Sequence, residues 1–220
     1  RRSSDLLISG GGSNMAAIVD AAHKGRWRER FGAQVTAVIS NKADAGGLAF
    51  ARDHHIATAA LDHKAYATRE DFDAALMTEI DRHEPALVVL AGFMRILSAD
   101  FVRHYEGRLL NIHPSLLPKY KGMHTHQRAL DAGDREHGCS VHFVTEELDG
   151  GPLVVQAVVP VESDDTPESL AQRVHRQEHH IYPLAMRWFA EGRLQLTAGR
   201  VVFAAAQNGE GALISPCPSS

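Results

Sequence analysis

The sequence predicts an α/β fold: a mostly parallel, twisted sheet flanked by helices on both faces, with antiparallel additions toward the C-terminus. Three observations predict it. Short apolar runs alternate along the chain with longer segments of helical pattern. The run at 86–92 is apolar throughout, and the run at 107–113 repeats the signal around Leu109, Leu110 and Ile112, which is typical of strands buried on both faces. A glycine-rich turn also joins the first apolar run to a helical pattern.

The first half of the chain supplies the parallel strands and the helices between them. The predicted strands of this half lie at 5–9, 33–40, 56–61, 86–92 and 107–113. Three segments have a helical pattern. The first runs from about Met15 to His23, the second begins with "GGLAFARDHH", and the third covers 69–83.

The second half supplies the antiparallel additions. The segments "CSVHFVTE" (139–146) and "PLVVQAVVPV" (152–161) read as strands, and the turn-like "ELDGGP" separates them. A long helix is expected over roughly 167–190. The segments "RLQL" and "GRVVFA" then predict a hairpin before a Gly/Ser/Pro-rich end. We expect a single domain over 1–196, followed by a hairpin and flexible tail over 197–220.

Composition restricts the function. The formal net charge of −4 over 220 residues argues against a protein that binds the phosphate backbone of nucleic acids. The two cysteines, Cys139 and Cys217, lie far apart without metal-type spacing, so no disulfide framework is expected. No apolar run approaches the ~20 residues that span a bilayer. The start "RRSSD" lacks the apolar region of a signal peptide, so we expect a cytoplasmic protein without a membrane partner.

The glycine loop "SGGGSN" follows a strand and opens a helix, so backbone N–H groups converge at the helix start. That arrangement suits an anion, above all a phosphate. Met15 stands where the dinucleotide fingerprint needs its third glycine, and no Lys-Ser/Thr pair follows for a P-loop. The alternative is a plain tight turn in which Ser13 or Asn14 caps the helix.

Asn111 and His113 are two residues apart on a buried strand and therefore point to the same face. They lie at the carboxyl end of that strand, where open α/β sheets place their ligands. Histidine exchanges protons near neutral pH, and an asparagine amide can donate to a developing oxyanion. The alternative is a pair of polar side chains that satisfy each other. Pro114 and Pro118, which fix the exit from the strand, favour the catalytic interpretation.

Asp149 lies on the Gly-Gly turn of "EELDGG". A carboxylate at such a position is ordinarily a turn former. Beside a catalytic imidazole it would instead favour the charged ring and fix its orientation. Both interpretations stay open at this point.

Several histidines are paired along the chain, namely His54 with His55, His124 with His126, and His179 with His180. None of these pairs has a third or fourth ligand at a recognisable spacing, so no metal site is expected. The helical segment "RVHRQEHHIYP" is charged, as solvated helix faces are; alternatively its Glu178 meets sugar hydroxyls.

Taken in order, seven segments resemble phosphoribosylglycinamide formyltransferases, the folate-dependent enzymes of purine biosynthesis with a Rossmann-like formyltransferase fold. The resemblance covers the chain from about Leu6 to Leu196. It rests on "ISGGGSN", "SNKADAGGL", "LAGFMRIL", "LLNIHPSLLPKYKG", "HTH", "SVHFVTEELDGGP" and "QEHHIYP". The chain departs from the usual pattern at Lys121, where relatives often have proline, and at His175, where they have an amide or lysine.

The resemblance implies roles for particular residues. Asn111, His113 and Asp149 would be the catalytic trio. Residues implied to bind glycinamide ribonucleotide are Gly12, Ser13, Asn14, His175, Arg176, Gln177 and Glu178. Residues implied to bind the folate are Arg69, Met94, Arg95, Ile96, Leu97, Asn111, Thr145, Glu146, Glu147, Leu148 and Asp149.

The implied reaction is attack of the glycinamide ribonucleotide amine on the formyl carbon of 10-formyltetrahydrofolate, the formyl-donating co-substrate, with no metal. The expected partners are these two small molecules, with no nucleic acid and no membrane, in a monomer or a homodimer. Three alternatives stand beside it. Methionyl-tRNA formyltransferase carries an RNA-binding domain and lacks the Gly-Ser-Asn loop, and formyltetrahydrofolate deformylase has an N-terminal regulatory domain that we expect this chain to lack. A non-catalytic phosphate- or folate-binding module would need no catalytic trio.

Overall fold

The computed structural model describes residues 2–203 and 212–214. The chain divides into two compact units, one running up to Leu110 and the other starting at Asn111. The division falls inside strand β5 (Leu109–His113).

The first unit is built on parallel strands. They are β1 (Arg2–Ile8), β2 (Ala33–Ser40), β3 (Ala57–Ala60) and β4 (Leu87–Leu90). Their spatial order is β4-β1-β2-β3, and each neighbouring pair is parallel. Every residue of β4 is buried, as expected for a strand covered on both faces.

Helices connect these strands. They are α1 (Ser13–Lys24), α2 (Trp27–Phe31), α3 (Gly46–Asp53), α4 (Arg69–Arg82) and α5 (Ala99–His104), with a 3-10 turn at His63–Ala65. Thr68 caps α4 by accepting a hydrogen bond from the Asp71 N–H. The buried residues of α4 include Phe72, Leu76 and Ile80, which recur at the spacing of one helix face.

The second unit adds antiparallel pairing. Its strands and helices are α6 (Thr125–Asp131), β6 (Glu136–Phe143), β7 (Leu153–Pro160), α7 (Pro167–Ala190), β8 (Leu194–Thr197), β9 (Arg200–Phe203) and β10 (Ala212–Ile214). The strand order is β5-β6-β7-β10; β6 and β7 are antiparallel, while β10 is parallel to β7. Strands β8 and β9 form a separate antiparallel hairpin.

The predicted fold class is confirmed, and most predicted elements lie within a residue or two of their observed bounds. Two strand starts were wrong. β1 begins at Arg2 rather than at 5, because Ser3, Ser4 and Asp5 are buried although they are polar. β6 begins at Glu136 and ends at Phe143, whereas 139–146 was predicted. The residues beyond 203, apart from Ala212–Ile214, lie outside the described part of the chain, so the predicted flexible tail stays a prediction.

Three short helices were missed: α2, α5 and α6, each of five to seven residues. Two turns or fewer do not display a full amphipathic repeat. In addition, α2 and α6 begin after Arg26 and His124, which adopt left-handed conformations with φ of 53° and 58°. Non-glycine residues rarely adopt that conformation, so no sequence signal marks these two starts.

Among the residues that the structure describes, no helix is both long enough and apolar enough to cross a membrane.

Candidate active site

The glycine loop lies between β1 and α1 in the first unit. Gly12 is the residue that caps α1, with φ of 69° and ψ of 43°, and its carbonyl accepts the first helical hydrogen bond from Ala16 N–H at 2.8 Å. The cap is therefore a backbone turn, and neither Ser13 nor Asn14 holds the N-cap position. Both residues instead form the first turn of α1, where backbone N–H groups point out of the helix end.

The conformation of the loop depends on glycine. A Cβ on Gly12 would lie 2.8 Å from the Met15 Cε, and φ at this residue is in the left-handed region. Gly47 of α3 packs against the other side of the loop and donates from its N–H to the Gly10 carbonyl at 3.1 Å. Close backbone packing thus fixes the conformation of the loop.

The first unit also brings the loop beside segment 92–98, which includes the predicted folate-binding residues 94–97. Ser9 precedes the loop and donates from its hydroxyl to Asn41 Oδ1 at 2.6 Å. The same hydroxyl accepts a hydrogen bond from Met94 N–H at 2.8 Å. Met94 and Ile96 are 78% and 74% exposed, unusually so for large apolar side chains, and such exposure often marks a ligand or partner surface.

Arg69, the remaining folate-binding residue predicted in this unit, is the first residue of α4. Its guanidinium lies 3.8 Å from the Glu70 carboxylate and is about half exposed. The next turn of α4 contacts segment 92–98, since the Arg95 guanidinium lies 5.1 Å from the ring centroid of Phe72. Ser98 N–H donates to Asp73 Oδ2 at 2.6 Å.

The three predicted catalytic residues all lie in the second unit. Asn111 is half-buried on β5, and His113 is buried at the carboxyl end of the same strand. His113 Nδ1 lies 3.6 Å from Asp149 Oδ2, and both side chains are only 8% exposed. Water therefore screens the attraction between a charged imidazole and this carboxylate only weakly.

Backbone groups of one loop orient both members of this pair. His113 Nε2 donates to the Tyr120 carbonyl at 2.8 Å, because a carbonyl can only accept. Asp149 Oδ2 accepts a hydrogen bond from Gly122 N–H at 2.9 Å. Tyr120 and Asp149 have φ of 52° and 50°, in the left-handed region that side chains disfavour. Both ring nitrogens of His113 therefore face acceptor oxygens.

The turn between β6 and β7 carries the predicted folate-binding residues Thr145, Glu146, Glu147, Leu148 and Asp149. It is closed by a hydrogen bond of 3.2 Å from Gly150 N–H to the Glu147 carbonyl. Lys121 Nζ lies 2.8 Å from Glu147 Oε1, and this contact lowers the pKa of the Glu147 carboxyl. Lys121, which departs from the usual family pattern, thus contacts the turn that holds Asp149. Leu148 is 66% exposed.

A second group of polar side chains surrounds Tyr120. Its hydroxyl donates to Asp134 Oδ2 at 2.5 Å, which lowers the pKa of Asp134 and raises that of Tyr120. His126 Nδ1 and His137 Nε2 are 3.0 Å apart. Burial lowers the pKa of both rings, that of His137 to about 4, so the pair is neutral at pH 7.

Four of the seven predicted ribonucleotide-binding residues lie on α7, and the structure brings two of these four together. His175 Nδ1 lies 3.5 Å from Glu178 Oε2, and this hydrogen bond raises the pKa of His175. Glu178 is largely buried, whereas Arg176 is exposed and Gln177 half-buried. Helix α7 packs against α6, and the Glu178 carboxylate partly offsets the lowering of the His126 pKa by burial.

Within the described residues, no group of three or more His, Cys, Asp or Glu side chains has the arrangement of a metal site. Of the two histidines of "HTH", His124 is the N-cap of α6 in a left-handed conformation, and His126 lies beside His137.

Comparison with known proteins identifies the family. A profile described as "Formyl transferase" matches residues 4–186. The chain belongs to the formyl transferase family. It is 58% identical over 191 residues to the phosphoribosylglycinamide formyltransferase of Escherichia coli strain K12, covering 87% of this chain and 88% of that protein. The corresponding protein of Haemophilus influenzae is 47% identical over 191 residues, covering the same shares of the two chains.

Solved structures give the same result. The phosphoribosylglycinamide formyltransferase of Coxiella burnetii superimposes with a TM-score of 0.87 at 48% identity, covering 97% of this chain and 99% of that one. Glycinamide ribonucleotide transformylase 1 of Symbiobacterium toebii gives a TM-score of 0.85 at 43% identity, covering 92% and 93%. The resemblance predicted from the sequence is therefore confirmed, and the chain is an enzyme of the formyl transferase family.

The arrangement in this formyl transferase contains residues that the sequence did not reveal. Tyr120 and Gly122 hold His113 and Asp149 through backbone atoms. Every residue type can supply these atoms, so the sequence does not indicate such contacts. Ser9 and Asp73 hold segment 92–98 through side chains. Ser9 directly follows the apolar end of β1, and Asp73 is a polar residue on the apolar face of α4; in both cases a polar residue beside apolar ones was the available signal.

Proposed function

We propose that this formyl transferase transfers the formyl group of 10-formyltetrahydrofolate to the amine of glycinamide ribonucleotide. The observation that carries the proposal is the pairing of His113 with Asp149 at 3.6 Å, at the end of the strand that also presents Asn111. The curated relatives at 58% and 47% identity are both phosphoribosylglycinamide formyltransferases, and this chain spans 88% of each.

The proposed chemistry is an acyl transfer. The substrate amine attacks the formyl carbon, and a tetrahedral intermediate with an oxyanion forms. The Asn111 amide and the protonated His113 ring donate hydrogen bonds to that oxygen. The bond from the formyl carbon to folate N10 then breaks, N10 takes up one proton, and the attacking amine loses one, so the proton count balances. His113 donates the proton, and Asp149 holds the ring and assists proton movement through water.

The binding roles are part of the same proposal. The N–H groups at the start of α1, from Gly12 to Asn14, bind the phosphate of glycinamide ribonucleotide, because a helix start attracts anions. The segment from His175 to Glu178 contacts the ribose end of that ligand. The backbone of segment 94–97 and the side chain of Arg69 bind the folate, to which the turn 145–149 also contributes. No step requires a metal ion.

An assay for folate-dependent formylation of glycinamide ribonucleotide tests the proposal. Purified protein should convert both substrates to formylglycinamide ribonucleotide and tetrahydrofolate, and the rate should be unchanged by a chelator. Formate release without the ribonucleotide would instead indicate a hydrolase. Formylation of methionyl-tRNA would indicate the tRNA-directed enzyme, and binding of both ligands without turnover would indicate a binding module. Each of these three results contradicts the proposal.

A further inference from the structure

Segment 92–98 lies in the first unit without regular secondary structure, yet both of its ends are fixed. Near its start, Met94 N–H donates to the Ser9 hydroxyl at 2.8 Å. At its end, Ser98 N–H donates to Asp73 Oδ2 at 2.6 Å. In the described part of the chain, the backbone groups of the intervening residues 95–97 make no hydrogen bond to another backbone group. They are therefore available to a ligand.

The burial of Asp73 is unfavourable for the free energy of folding. Its side chain is 1% exposed on the core-facing side of α4, and Oδ1 has no hydrogen-bond partner among the described residues. Burying a carboxylate with one unsatisfied oxygen costs free energy that an apolar residue would not. Fold stability alone does not favour an aspartate here. Its contribution is a charge-assisted hydrogen bond that fixes the end of the segment.

Ser9 also forms a defined set of hydrogen bonds that includes segment 92–98. It is 5% exposed, and its hydroxyl proton is committed to Asn41 Oδ1 at 2.6 Å. The oxygen lone pair is therefore directed at Met94 N–H. Ser9 N–H also donates to the Gly92 carbonyl at 3.1 Å, so this one residue bonds the segment twice.

We propose that Ser9 and Asp73 are positioning residues that hold the backbone of segment 94–97 in the conformation that binds the folate. The inference rests on the proposed function for the identity of the ligand. Preorganised donors and acceptors bind more tightly because the ordering entropy is lost during folding and not on binding. Asp73 also follows Arg69 by four residues on α4, so the same helix face carries both residues. One helix would therefore set the positions of the Arg69 side chain and of the segment's end.

Two variants test the proposal. Asp73→Asn keeps the shape of the side chain but replaces a charged acceptor with a neutral one, and Ser9→Ala removes the acceptor of Met94 N–H. Each should raise the Kd for tetrahydrofolate roughly five- to tenfold, as expected for the loss of about one hydrogen bond. The Kd of Asp73→Asn for glycinamide ribonucleotide and its kcat at saturating folate should stay within about twofold of wild type. Ser9→Thr retains the hydroxyl and should restore folate binding.

Matched controls separate positioning from a general loss of structure. Asp71→Asn changes an exposed carboxylate two residues away on the same helix, and Ser40→Ala removes a fully buried hydroxyl that accepts a hydrogen bond from the nearby Lys42 N–H. Both should leave the folate Kd unchanged. The proposal is overturned if folded Asp73→Asn matches Asp71→Asn, or if it loses both ligands equally. Wild-type protein that forms no formylglycinamide ribonucleotide would contradict the proposed function instead.

A measurement on the unmodified protein covers the case in which a variant fails to fold. In the free enzyme, the amide hydrogens of Met94 and Ser98 should exchange with solvent slowly, because both are bonded to buried side chains. The amides of residues 95–97 should exchange faster and become protected when tetrahydrofolate binds. Exchange of Met94 or Ser98 at the rate of an unprotected amide would overturn the proposal.

Discussion

At the scale of single residues, the proposed catalytic site places a carboxylate beside an imidazole ring. Asp149→Asn keeps the shape of the side chain and a possible hydrogen bond from Gly122, but it removes the negative charge 3.6 Å from His113 Nδ1. We expect kcat for formyl transfer to fall roughly 10²- to 10⁴-fold, the usual contribution of general acid–base catalysis. Steady-state kinetics and ligand binding should show that both substrates still bind. Asp131→Asn, an exposed carboxylate on α6, serves as the control, and equal kcat values for the two variants would remove Asp149 from the mechanism.

The proposed catalytic trio shows which features can be predicted from residue types and which cannot. The positions of Asn111 and His113 at the end of β5 were predictable, because the apolar run indicated the strand and residues two apart on a strand point to the same face. Their association with Asp149 could only be hypothesised, since a turn 36 residues further along the chain has no fixed position in sequence. The backbone contacts of Tyr120 and Gly122 were not predictable at all, because any residue type supplies a carbonyl or an N–H.

At the scale of secondary-structure elements, local signals decided what could be predicted. The bounds of α7 were predicted correctly from its long helical pattern, and in the structure a capping box of Thr166 and Ser169, with Pro167 at the first helical position, fixes the start. The start of α5 carried a similar signal in Ser98, which accepts a hydrogen bond from Phe101 N–H, but the helix has only six residues. Elements of that length are fixed by tertiary contacts more than by their own pattern.

The glycine loop gives a prediction at this scale. Gly12→Ala forces a side chain into a left-handed conformation and against the Met15 methyl group. It should destabilise the protein by about 1–2 kcal/mol and raise the Kd for glycinamide ribonucleotide at least tenfold, with a smaller effect on tetrahydrofolate. Calorimetric titration with each ligand measures both effects.

Gly32→Ala is the matched control for Gly12→Ala. Gly32 has a similar φ of 63°, but it ends α2, and its Cβ would meet nothing within 4 Å. The two variants should lose similar stability from backbone strain, whereas only Gly12→Ala should lose ribonucleotide binding. Equal affinities in the two variants would show that the loop does not bind the phosphate.

At the scale of the whole molecule, two buried groups impose opposite pH dependences on stability. Burial raises the pKa of Asp5 to about 7 against the opposing effects of the His83 charge and a hydrogen bond from Thr36. Since the folded-state pKa is raised, the contribution of Asp5 to the free energy of unfolding is lost as pH rises from about 4 to about 7. Burial lowers the pKa of His137 to about 4, so its contribution is lost as pH falls from about 6.5 to about 4. The two trends partly cancel in the native chain.

Replacing Asp5 with a neutral isostere should remove one of these two pH dependences and leave the other. Asp5→Asn cannot ionise, so its free energy of unfolding should match that of the wild type near pH 4 and exceed it increasingly up to pH 7. The gain at pH 8 should approach roughly 4 kcal/mol, from about 1.4 kcal/mol for each of the roughly three pH units by which folding displaces this pKa. Urea unfolding at several pH values measures the difference. Asp100→Asn, which changes an exposed carboxylate, should show no such trend. A stability difference between Asp5→Asn and wild type that is the same at pH 4 and pH 8 would mean that Asp5 is already ionised in the folded chain at pH 4, and that burial does not control its charge.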